Sequence, residues 1–428
     1  MRPTALASLF AALALATDAG AAAGLSAQAV VDSPAFKAAV VRLDADHDRT
    51  VSDIIALTEI PAPPFKETAR GQAYLAMLKA HGLTDVEMDP EGNVMGVRPG
   101  ARTRGKGPYV VLAAHLDTVF PEGTDVKVRR EGTKLMAPGI GDDTRSLAVL
   151  LAYVRAMDAA KITTTSDILF VGNVGEEGAG DLRGVRYLFN AGKYKSQISA
   201  FFSMDGNDPS RVVDQGVGSK RYHVVFRGPG GHSYGAFGMV NPMAAMSKAV
   251  VDLYAVKPSA APKTTYAASV TGGGTSVNAI PGEVFMDFDM RSESAAELAK
   301  LDATLQAILS EAVETENAAR STRFGKVSFE AKVIGERPAG RTDRKAAIVT
   351  ATHEAIAALG YTPAHDASST DANVPMSLGI PAVTIGSGGK GGRAHALDEW
   401  IDVERGPSVK GMSVGLAALL TVAGLENP

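Results

Sequence analysis

The sequence predicts an α/β protein whose layered sheet domain is interrupted by a smaller inserted α+β domain. Between residues 34 and 216, continuous apolar runs typical of buried strands alternate with helical segments. Between residues 217 and 334, the order becomes strand, helix, strand, strand, helix, strand, which is typical of a ferredoxin-like domain. Between residues 335 and 428 the first pattern returns. We therefore expect one discontinuous α/β/α domain that carries an insertion.

The predicted strands of the discontinuous domain are apolar along their whole length, which indicates a largely parallel sheet with helices on both faces. In the first part, the predicted helices are TARGQAYLAMLKAHG and SLAVLLAYVRAMDAA, and the predicted strands are PYVVLAAHLD, DILFVGNV and ISAFFSMD. In the last part, the predicted elements are the helix RKAAIVTATHEAIAALG, the strand IPAVTIGSGG and the helix SVKGMSVGLAALLTVAG.

The insertion has its own alternation of elements. Its predicted strands are RYHVVFRG, TTYAASVTG, EVFMDFDMRS and KVSFEAKVIG, and its predicted helices are NPMAAMSKAVVDLYAV and AAELAKLDATLQAILSEAVETENAA. Gly216 and the stretch GERPAG at residues 335–340 mark the two crossings between the domains, and we expect them to act as hinges.

Composition excludes several classes of function. The 428 residues carry a net charge of -4 without a long basic run, so nothing predicts a nucleic-acid partner. The chain has no cysteine, which excludes disulfides, thiol nucleophiles and cysteine-ligated metals. Any metal ion in this protein must therefore be held by His, Asp and Glu.

The first 23 residues have the layout of a secretory signal peptide. Arg2 precedes the apolar run ALASLFAALALA, which the small-residue stretch AGAAAG follows, and cleavage after Ala23 fits this pattern. The apolar run is too short for a bilayer span, which needs about 20 residues. We expect an exported mature protein, periplasmic or secreted, without a membrane partner.

Acidic and His residues follow the predicted strands where those strands end. The side chains are His115 and Asp117, Asp142 in GIGDD, Glu176 and Glu177, Asp205, and His395. In open α/β sheets, sites gather beyond the carboxyl ends of the strands. Several carboxylates at one edge repel one another unless a cation neutralises them. Two imidazoles and several carboxylates suit zinc, and cobalt and manganese remain alternatives.

A series of motifs runs in order from about residue 50 to the C-terminus: AAHLDTV, GIGDDTRS, GNVGEEGAG, SMDG, GPGGHSYGA, GGGTSVNAIPGE with DMRSE, and SSTDANVP through RAHALDEW. In these motifs the sequence resembles the cocatalytic zinc peptidases that include peptidase T, carboxypeptidase G, aminoacylase and succinyl-diaminopimelate desuccinylase. The resemblance implies two zinc ions per chain. It implies that His115 and Asp205 hold one ion, that Glu177 and His395 hold the other, and that Asp142 bridges them.

The same resemblance implies roles in catalysis and substrate binding. Glu176 would be the general base that takes a proton from water and passes it to the leaving amine. Asp117, two residues after the ligand His115 on one face of a strand, would orient that imidazole. In the inserted domain, His232 would stabilise the oxyanion in the partner subunit's site. The inserted domain would form the contact of a homodimer.

Asn278 and Arg291 match the substrate-binding pair of the family. A guanidinium can hold a substrate carboxylate in bidentate fashion. The chain departs from the family after the bridging Asp142, where Asp143, Thr144 and Arg145 stand in place of a common Lys-Gly ending. The metal hypothesis is unaffected, while the subfamily is left open.

Three alternatives compete with this interpretation. The motif GHSYG fits a nucleophile elbow with Ser233, and Asp371 and His395 follow in triad order. However, glycines and a proline separate Ser233 from the preceding strand, and the motif lies in the insertion. Asp142 and Asp143 also fit the cap of the following helix. A zinc- or peptide-binding protein without catalysis is the third alternative.

We predict a zinc-dependent exopeptidase, acting on di- or tripeptides or in the manner of a carboxypeptidase, with Glu176 as general base. An N-acyl-amino acid amidohydrolase of the same family is the alternative closest to it. The side-chain preference for the substrate depends on loop shape, which the sequence does not reveal.

Overall fold

The computed structural model describes residues 25–428, so the predicted signal peptide at residues 1–23 lies outside the described residues. The helices of the described part are α1 Ala27–Asp32, α2 Pro34–Ala45, α3 His47–Thr58, α4 Thr68–Lys79, α5 Arg145–Ala159, α6 Arg183–Asn190, α7 Pro242–Ala255, α8 Ala295–Ala319, α9 Ala347–Ala358, α10 Asn373–Ser377 and α11 Arg405–Ala423. Short helical turns lie at Ile140–Thr144 and Gly178–Gly180.

The strands of the described part fall into four sheets. They are β1 Thr84–Met88, β2 Val94–Arg98, β3 Tyr109–His115, β4 Arg129–Glu131, β5 Lys134–Met136, β6 Asp167–Asn173, β7 Ile198–Met204, β8 Arg211–Gly216, β9 Gly218–Arg227, β10 Gly231–His232, β11 Thr264–Gly273, β12 Ala279–Ile280, β13 Glu283–Ser292, β14 Ser328–Arg337, β15 Gly340–Arg341, β16 Ala364–Ser368, β17 Ala382–Ile385, β18 Lys390–Gly392 and β19 Trp400–Asp402.

The main sheet has the order β1-β2-β6-β3-β7-β17-β8-β15, with β16 also paired to β8. Its centre is parallel, because β3 pairs in parallel with β6 and β7, and β17 pairs in parallel with β7. The pairs β1–β2, β2–β6, β8–β17 and β8–β15 are antiparallel. The apolar runs predicted the parallel centre, whereas the antiparallel edges consist of strands too short or too exposed to give that signal.

Helices cover both faces of the main sheet, which confirms the predicted α/β/α layers. One core joins the sheet to α1, α2, α5, α9 and α11, and a second core joins the other face to α6 and α10. The helix α11 is long and apolar enough to cross a membrane, but 72% of its most apolar stretch is buried inside the protein. This burial is the expected behaviour of a core helix.

A separate antiparallel sheet of the order β11-β13-β9-β14 carries α7 and α8 on one face. Alternate residues of β9 and β13, such as Val224, Phe226 and Phe288, are buried against the two helices. This is the ferredoxin-like arrangement that the sequence predicts for residues 217–334. The strand β14 continues three residues past 334, because Glu336 and Arg337 still pair with β9.

A small antiparallel sheet of the order β18-β19-β5-β4 was not predicted. Each of its strands has three residues, and the sheet pairs Lys134–Met136 with Trp400–Asp402 across more than half of the chain. Such short strands give no periodic signal. The sheet matters for the site because β5 leads directly into the loop of residues 137–144, while β18 and β19 flank the segment that contains His395.

Candidate metal centre

The carboxyl ends of the parallel strands bring the predicted ligands to one edge of the main sheet. His115 is the last residue of β3 and is almost fully buried. Glu176 and Glu177 follow β6, and Asp205 follows β7 directly. In the parallel register, His115 lies opposite Asn173, the last residue of β6. Neighbouring strands that end together therefore place these side chains side by side.

The Asp142 carboxylate lies between two imidazoles. Its Oδ1 is 2.8 Å from Nε2 of His115, and its Oδ2 is 3.2 Å from Nε2 of His395. The same Nε2 of His395 is 3.0 Å from Oε1 of Glu177. Hydrogen bonds to Asp142 and Glu177 raise the pKa of His395 to about 10. Each oxygen of Asp142 is thus directed at a different imidazole, which is the arrangement that a bridging carboxylate requires.

Two groups of donor atoms lie close enough together to hold a metal ion. His115, Asp142 and Glu177 form one group, and His115, Asp143 and Asp205 form the other, with donor atoms within 4.8 Å of one another in each. The second group includes Asp143, which was not predicted as a ligand. Asp143 Oδ2 accepts a hydrogen bond from the backbone N–H of His115 at 3.0 Å, while its buried Oδ1 has no partner within the described residues.

Burial and mutual repulsion shift the pKa values of this cluster in the direction that favours a nearby positive charge. Burial and the charge of Asp142 raise the pKa of Asp205 to about 6. Burial raises the pKa of Glu176 well above its usual range, although a neighbouring guanidinium opposes the shift. Burial lowers the pKa of His115, but nearby aspartates, led by Asp143, outweigh it and raise that pKa well above its usual value. Carboxylates so close together in a buried site favour a cation beside them.

The donor set fits divalent zinc. Zinc in proteins takes imidazole nitrogen and carboxylate oxygen as ligands, and carboxylates can be shared between two ions. Two observations agree with a metal site. Within the described residues, Oδ1 of Asp143 is buried without a hydrogen-bond partner, and both groups of donor atoms include His115. The helix α5 begins beside these aspartates, yet no side chain caps its first turn. The alternative role of Asp142 and Asp143 as helix caps therefore has no support in the structure.

Asp117 is fully buried and connects two parts of the cluster. Its carboxylate accepts the backbone N–H groups of Glu176 at 3.0 Å and Glu177 at 2.8 Å. Nδ1 of His115 lies 3.0 Å from the backbone carbonyl of Asp117 and 3.6 Å from its carboxylate. The carbonyl is thus the closer partner of the imidazole, while the carboxylate holds the loop that carries the two glutamates.

Arg337 reaches Glu176 from the end of β14, a contact that the sequence did not reveal. Both side chains are buried, and Nη1 of Arg337 lies 3.0 Å from Oε1 of Glu176. Nη1 also donates to Ser369 Oγ at 3.2 Å, and Nη2 donates to the carbonyl oxygen of Glu176. Because one oxygen of Glu176 is held in this way, Oε2 is left for other partners.

Glu399 holds the loop that carries Asp142. Its carboxylate accepts the backbone N–H groups of Gly139 at 2.9 Å, Gly141 at 2.7 Å and Asp142 at 2.8 Å. Burial and the charge of Asp142 raise the pKa of Glu399 to about 7, against the effect of these three donors. Glu399 lies four residues after His395, so one short segment positions two of the predicted ligands.

A cavity of about 710 Å³ opens above the cluster, between the main sheet and the inserted sheet. This volume lies within the range of small-molecule sites. The cavity is lined by Asp142, Glu176, Glu177, Asp205 and His395 from the cluster, and by Arg291, Asp289 and Arg221 from the inserted sheet. The predicted substrate ligand Arg291 therefore faces the same space as the cluster.

His232 and Asn278 do not line this cavity. His232 lies on the two-residue strand β10 and pairs with Ala279 of the two-residue strand β12. Asn278 directly precedes β12. Nδ1 of His232 accepts the backbone N–H groups of Tyr234 and Gly235, so a neutral imidazole carries its proton on Nε2. This nitrogen is therefore available as a donor.

Ser233 lies in the same ribbon, and its backbone N–H donates to the carbonyl of Asn278. It does not follow a strand of the main sheet, as a nucleophile elbow requires. Asp371, the acid of the supposed triad, accepts a hydrogen bond from Asn173 at 2.7 Å, while Nε2 of His395 contacts carboxylates of the cluster. The serine-hydrolase alternative thus lacks its geometry.

Comparison with known proteins agrees with this site. The sequence model of peptidase family M20/M25/M40 matches residues 111–420. A protein of Pyrococcus abyssi, assigned provisionally as a LysW-lysine/LysW-ornithine hydrolase, is 31% identical over 131 residues. The matched segment is 31% of this chain and 34% of that relative, so the chain spans about a third of the length of this curated relative.

Two solved structures share the fold over nearly their whole length. Aminopeptidase PepT from Bacillus cereus has a TM-score of 0.72 at 20% identity, covering 88% of this chain and 99% of that one. The YXEP protein of Bacillus subtilis, a dinuclear metal-binding peptidase, has a TM-score of 0.64 at 18% identity, covering 89% and 99%.

Proposed function

Because the chain belongs to peptidase family M20/M25/M40, and is therefore a metal-dependent hydrolase of peptide or amide bonds, we propose that it is a zinc-dependent exopeptidase of small peptides. The observation that carries this proposal is the Asp142 carboxylate between His115 and His395, with Glu176 beside it in one cavity. An N-acyl-amino acid presents the same amide and carboxylate, and it is the alternative substrate class.

We assign the first metal position to His115 and Asp205, the second to Glu177 and His395, and the bridge to Asp142. Two zinc ions held there would polarise the scissile carbonyl and lower the pKa of a water molecule. The burial of the cluster supports this assignment. Among the five proposed ligands, His395 is the one whose side chain is more than half exposed to solvent.

Glu176 acts in this proposal as the general base. Its Oε1 is held by Arg337, so Oε2 would take the proton from the attacking water and later pass it to the leaving amine. Asp117 accepts hydrogen bonds from the backbone N–H groups of Glu176 and Glu177, which fixes the position of the base relative to the neighbouring ligand. Arg291, on the opposite wall, would hold the carboxylate of the substrate.

A substrate panel tests this function. The zinc-loaded protein without residues 1–23 is assayed on dipeptides, tripeptides, N-acyl amino acids and peptides whose C-terminus is amidated. Hydrolysis of short peptides with free carboxylates supports the exopeptidase. Faster hydrolysis of N-acyl amino acids than of any peptide supports the amidohydrolase instead. Absence of hydrolysis throughout the panel contradicts both.

We propose further that the protein is a homodimer through its inserted domain. His232 and Asn278 lie outside the cavity of their own chain, on a ribbon with the exposed apolar side chains Tyr234, Phe237 and Val277. A ribbon of this kind is suited to reach into a second chain's site, where Nε2 of His232 would donate to the developing oxyanion.

Mixing two inactive variants tests the dimer. We expect His232→Ala to lower kcat by about 10²–10³-fold, the usual effect of removing one oxyanion donor. When His232→Ala and Glu176→Gln chains are unfolded and refolded together, hybrid dimers contain one site with both groups intact. Activity should therefore rise above that of either variant alone. A monomer by light scattering, or a mixture without any gain, would contradict the proposal.

We also propose that the mature protein is periplasmic or secreted. The support is the sequence of residues 1–23, with its basic start, apolar run and small-residue stretch. Cell fractionation, with sequencing of the N-terminus of the exported form, is the test, and a protein retained in the cytoplasm would contradict it.

A further inference from the structure

Four arginines line the cavity above the cluster: Arg211, Arg221, Arg291 and Arg337. Two of them have a carboxylate partner of their own. Arg211 pairs with Asp366 at 3.2 Å, and Arg337 pairs with Glu176 at 3.0 Å. The other two share a single carboxylate, so these two arginines together carry one more positive charge than their partner neutralises.

That shared carboxylate is Asp289, and each of its two oxygens accepts a hydrogen bond from the Nε atom of one guanidinium group. Nε of Arg221 lies 2.9 Å from Oδ1 of Asp289, and Nε of Arg291 lies 2.8 Å from Oδ2. Within the described residues, Nε is the atom through which Arg221 and Arg291 donate, and their Nη atoms donate no hydrogen bond to the protein. Asp289 thus fixes the orientation of two guanidinium groups while their Nη donors stay free.

The inserted sheet explains this geometry. Arg221 on β9 lies opposite Asp289 on β13, and Arg291 lies two residues further along β13, so the three side chains share one face. The opposite face of the same strands is buried against α7 and α8. The charged face is the one that lines the cavity, across from the carboxylates of the metal cluster.

We propose that Arg221, Asp289 and Arg291 form a two-guanidinium receptor for the terminal carboxylate of the substrate. The receptor deepens the proposed function, on which it rests, by adding Arg221 and Asp289 to the role given to Arg291. Its net charge is one positive unit, which one carboxylate neutralises. Guanidinium groups bind carboxylates through pairs of N–H donors, and these are the donors left free here. The substrate is thereby oriented with its C-terminal residue toward the inserted sheet and its amide toward the cluster.

Kinetics of Arg221→Gln test the receptor. We expect KM for a dipeptide with a free carboxylate to rise by about 10- to 100-fold, as for loss of a charged hydrogen bond. The value of kcat should change little, because the contact is the same in the ground state and the transition state. For the amidated dipeptide, KM should be unaffected. The matched control is Arg227→Gln, on the same face of β9 but about 20 Å along the strand, where Arg227 pairs with Glu283 and Glu330.

A binding measurement keeps this test independent of turnover. The zinc-loaded Glu176→Gln protein is titrated calorimetrically with N-acetyl-alanine and with its amide, with and without Arg221→Gln. Tighter binding of the carboxylate than of the amide, with the difference lost in Arg221→Gln and kept in Arg221→Lys at least in part, supports the receptor. Equal affinity for the two ligands, or a preference that Arg221→Gln leaves intact, overturns it. Because calorimetry measures binding and not turnover, it tests the receptor even if the protein hydrolyses no compound of the substrate panel.

Discussion

Glu176→Gln abolishes most turnover and leaves the metal centre loaded. The amide keeps the shape of the side chain but cannot take a proton from water, so we expect kcat to fall by about 10²–10⁴-fold. The ligand atoms of the neighbouring Glu177 are untouched, and metal content should stay at the level of the unmodified protein. Steady-state kinetics and metal analysis on the same preparation measure both quantities.

The contact with Arg337 complicates this variant, since loss of the carboxylate leaves a buried guanidinium without a counter-charge. Breaking such a pair can cost about 3–5 kcal/mol of stability. Thermal unfolding therefore accompanies the kinetics, and Glu176→Asp keeps the charge as a second variant. Glu131→Gln, exposed on β4, is the matched control. A fully active Glu176→Gln protein would remove the role assigned to this residue.

Asp142→Asn empties the metal centre and, with it, the activity. The carboxylate faces His115 with one oxygen and His395 with the other, and an amide offers only one acceptor and no charge. Mutation of residues that only hold a metal ligand in place weakens metal binding by about 10–100-fold. We therefore expect loss of the bridging ligand itself to weaken metal binding by more than this. Competition with a chromophoric chelator measures the affinity of the variant.

The control for this change is Asp125→Asn, an exposed carboxylate on a loop, which should bind metal as the unmodified protein does. The result that would count against the account is an Asp142→Asn protein with unchanged zinc affinity and unchanged kcat. In that case the second donor group, which includes Asp143 and Asp205, would be sufficient for the metal.

The fold was predictable where the chain repeats a local pattern. The apolar runs at Tyr109–His115, Asp167–Asn173 and Ile198–Met204 each became a central parallel strand, and the order of elements after Gly216 became the inserted sheet. Three-residue strands such as Lys134–Met136 carry no such pattern, because their pairing is decided by a distant segment. The sheet that they form could not be read from the sequence.

The candidate site likewise contains residues that local sequence patterns predict and residues that they do not. His115, Glu177 and Asp205 follow strands, and the parallel sheet brings the ends of those strands together. Arg337 and Glu399 act across 161 and about 258 residues of chain, and no local signal marks them. Glu399 could have been suspected only from its place four residues after His395. Contacts of this kind follow from tertiary packing rather than from spacing.

Metal dependence is the central claim, and chelation tests it most directly. The mature protein is assayed on its best substrate as purified, after removal of metal by a chelator and dialysis, and during stepwise return of zinc, with bound metal measured at each step. We predict that activity disappears with the metal and returns as zinc approaches about two ions per chain. A metal-free protein that hydrolyses the substrate at its original rate would contradict the account.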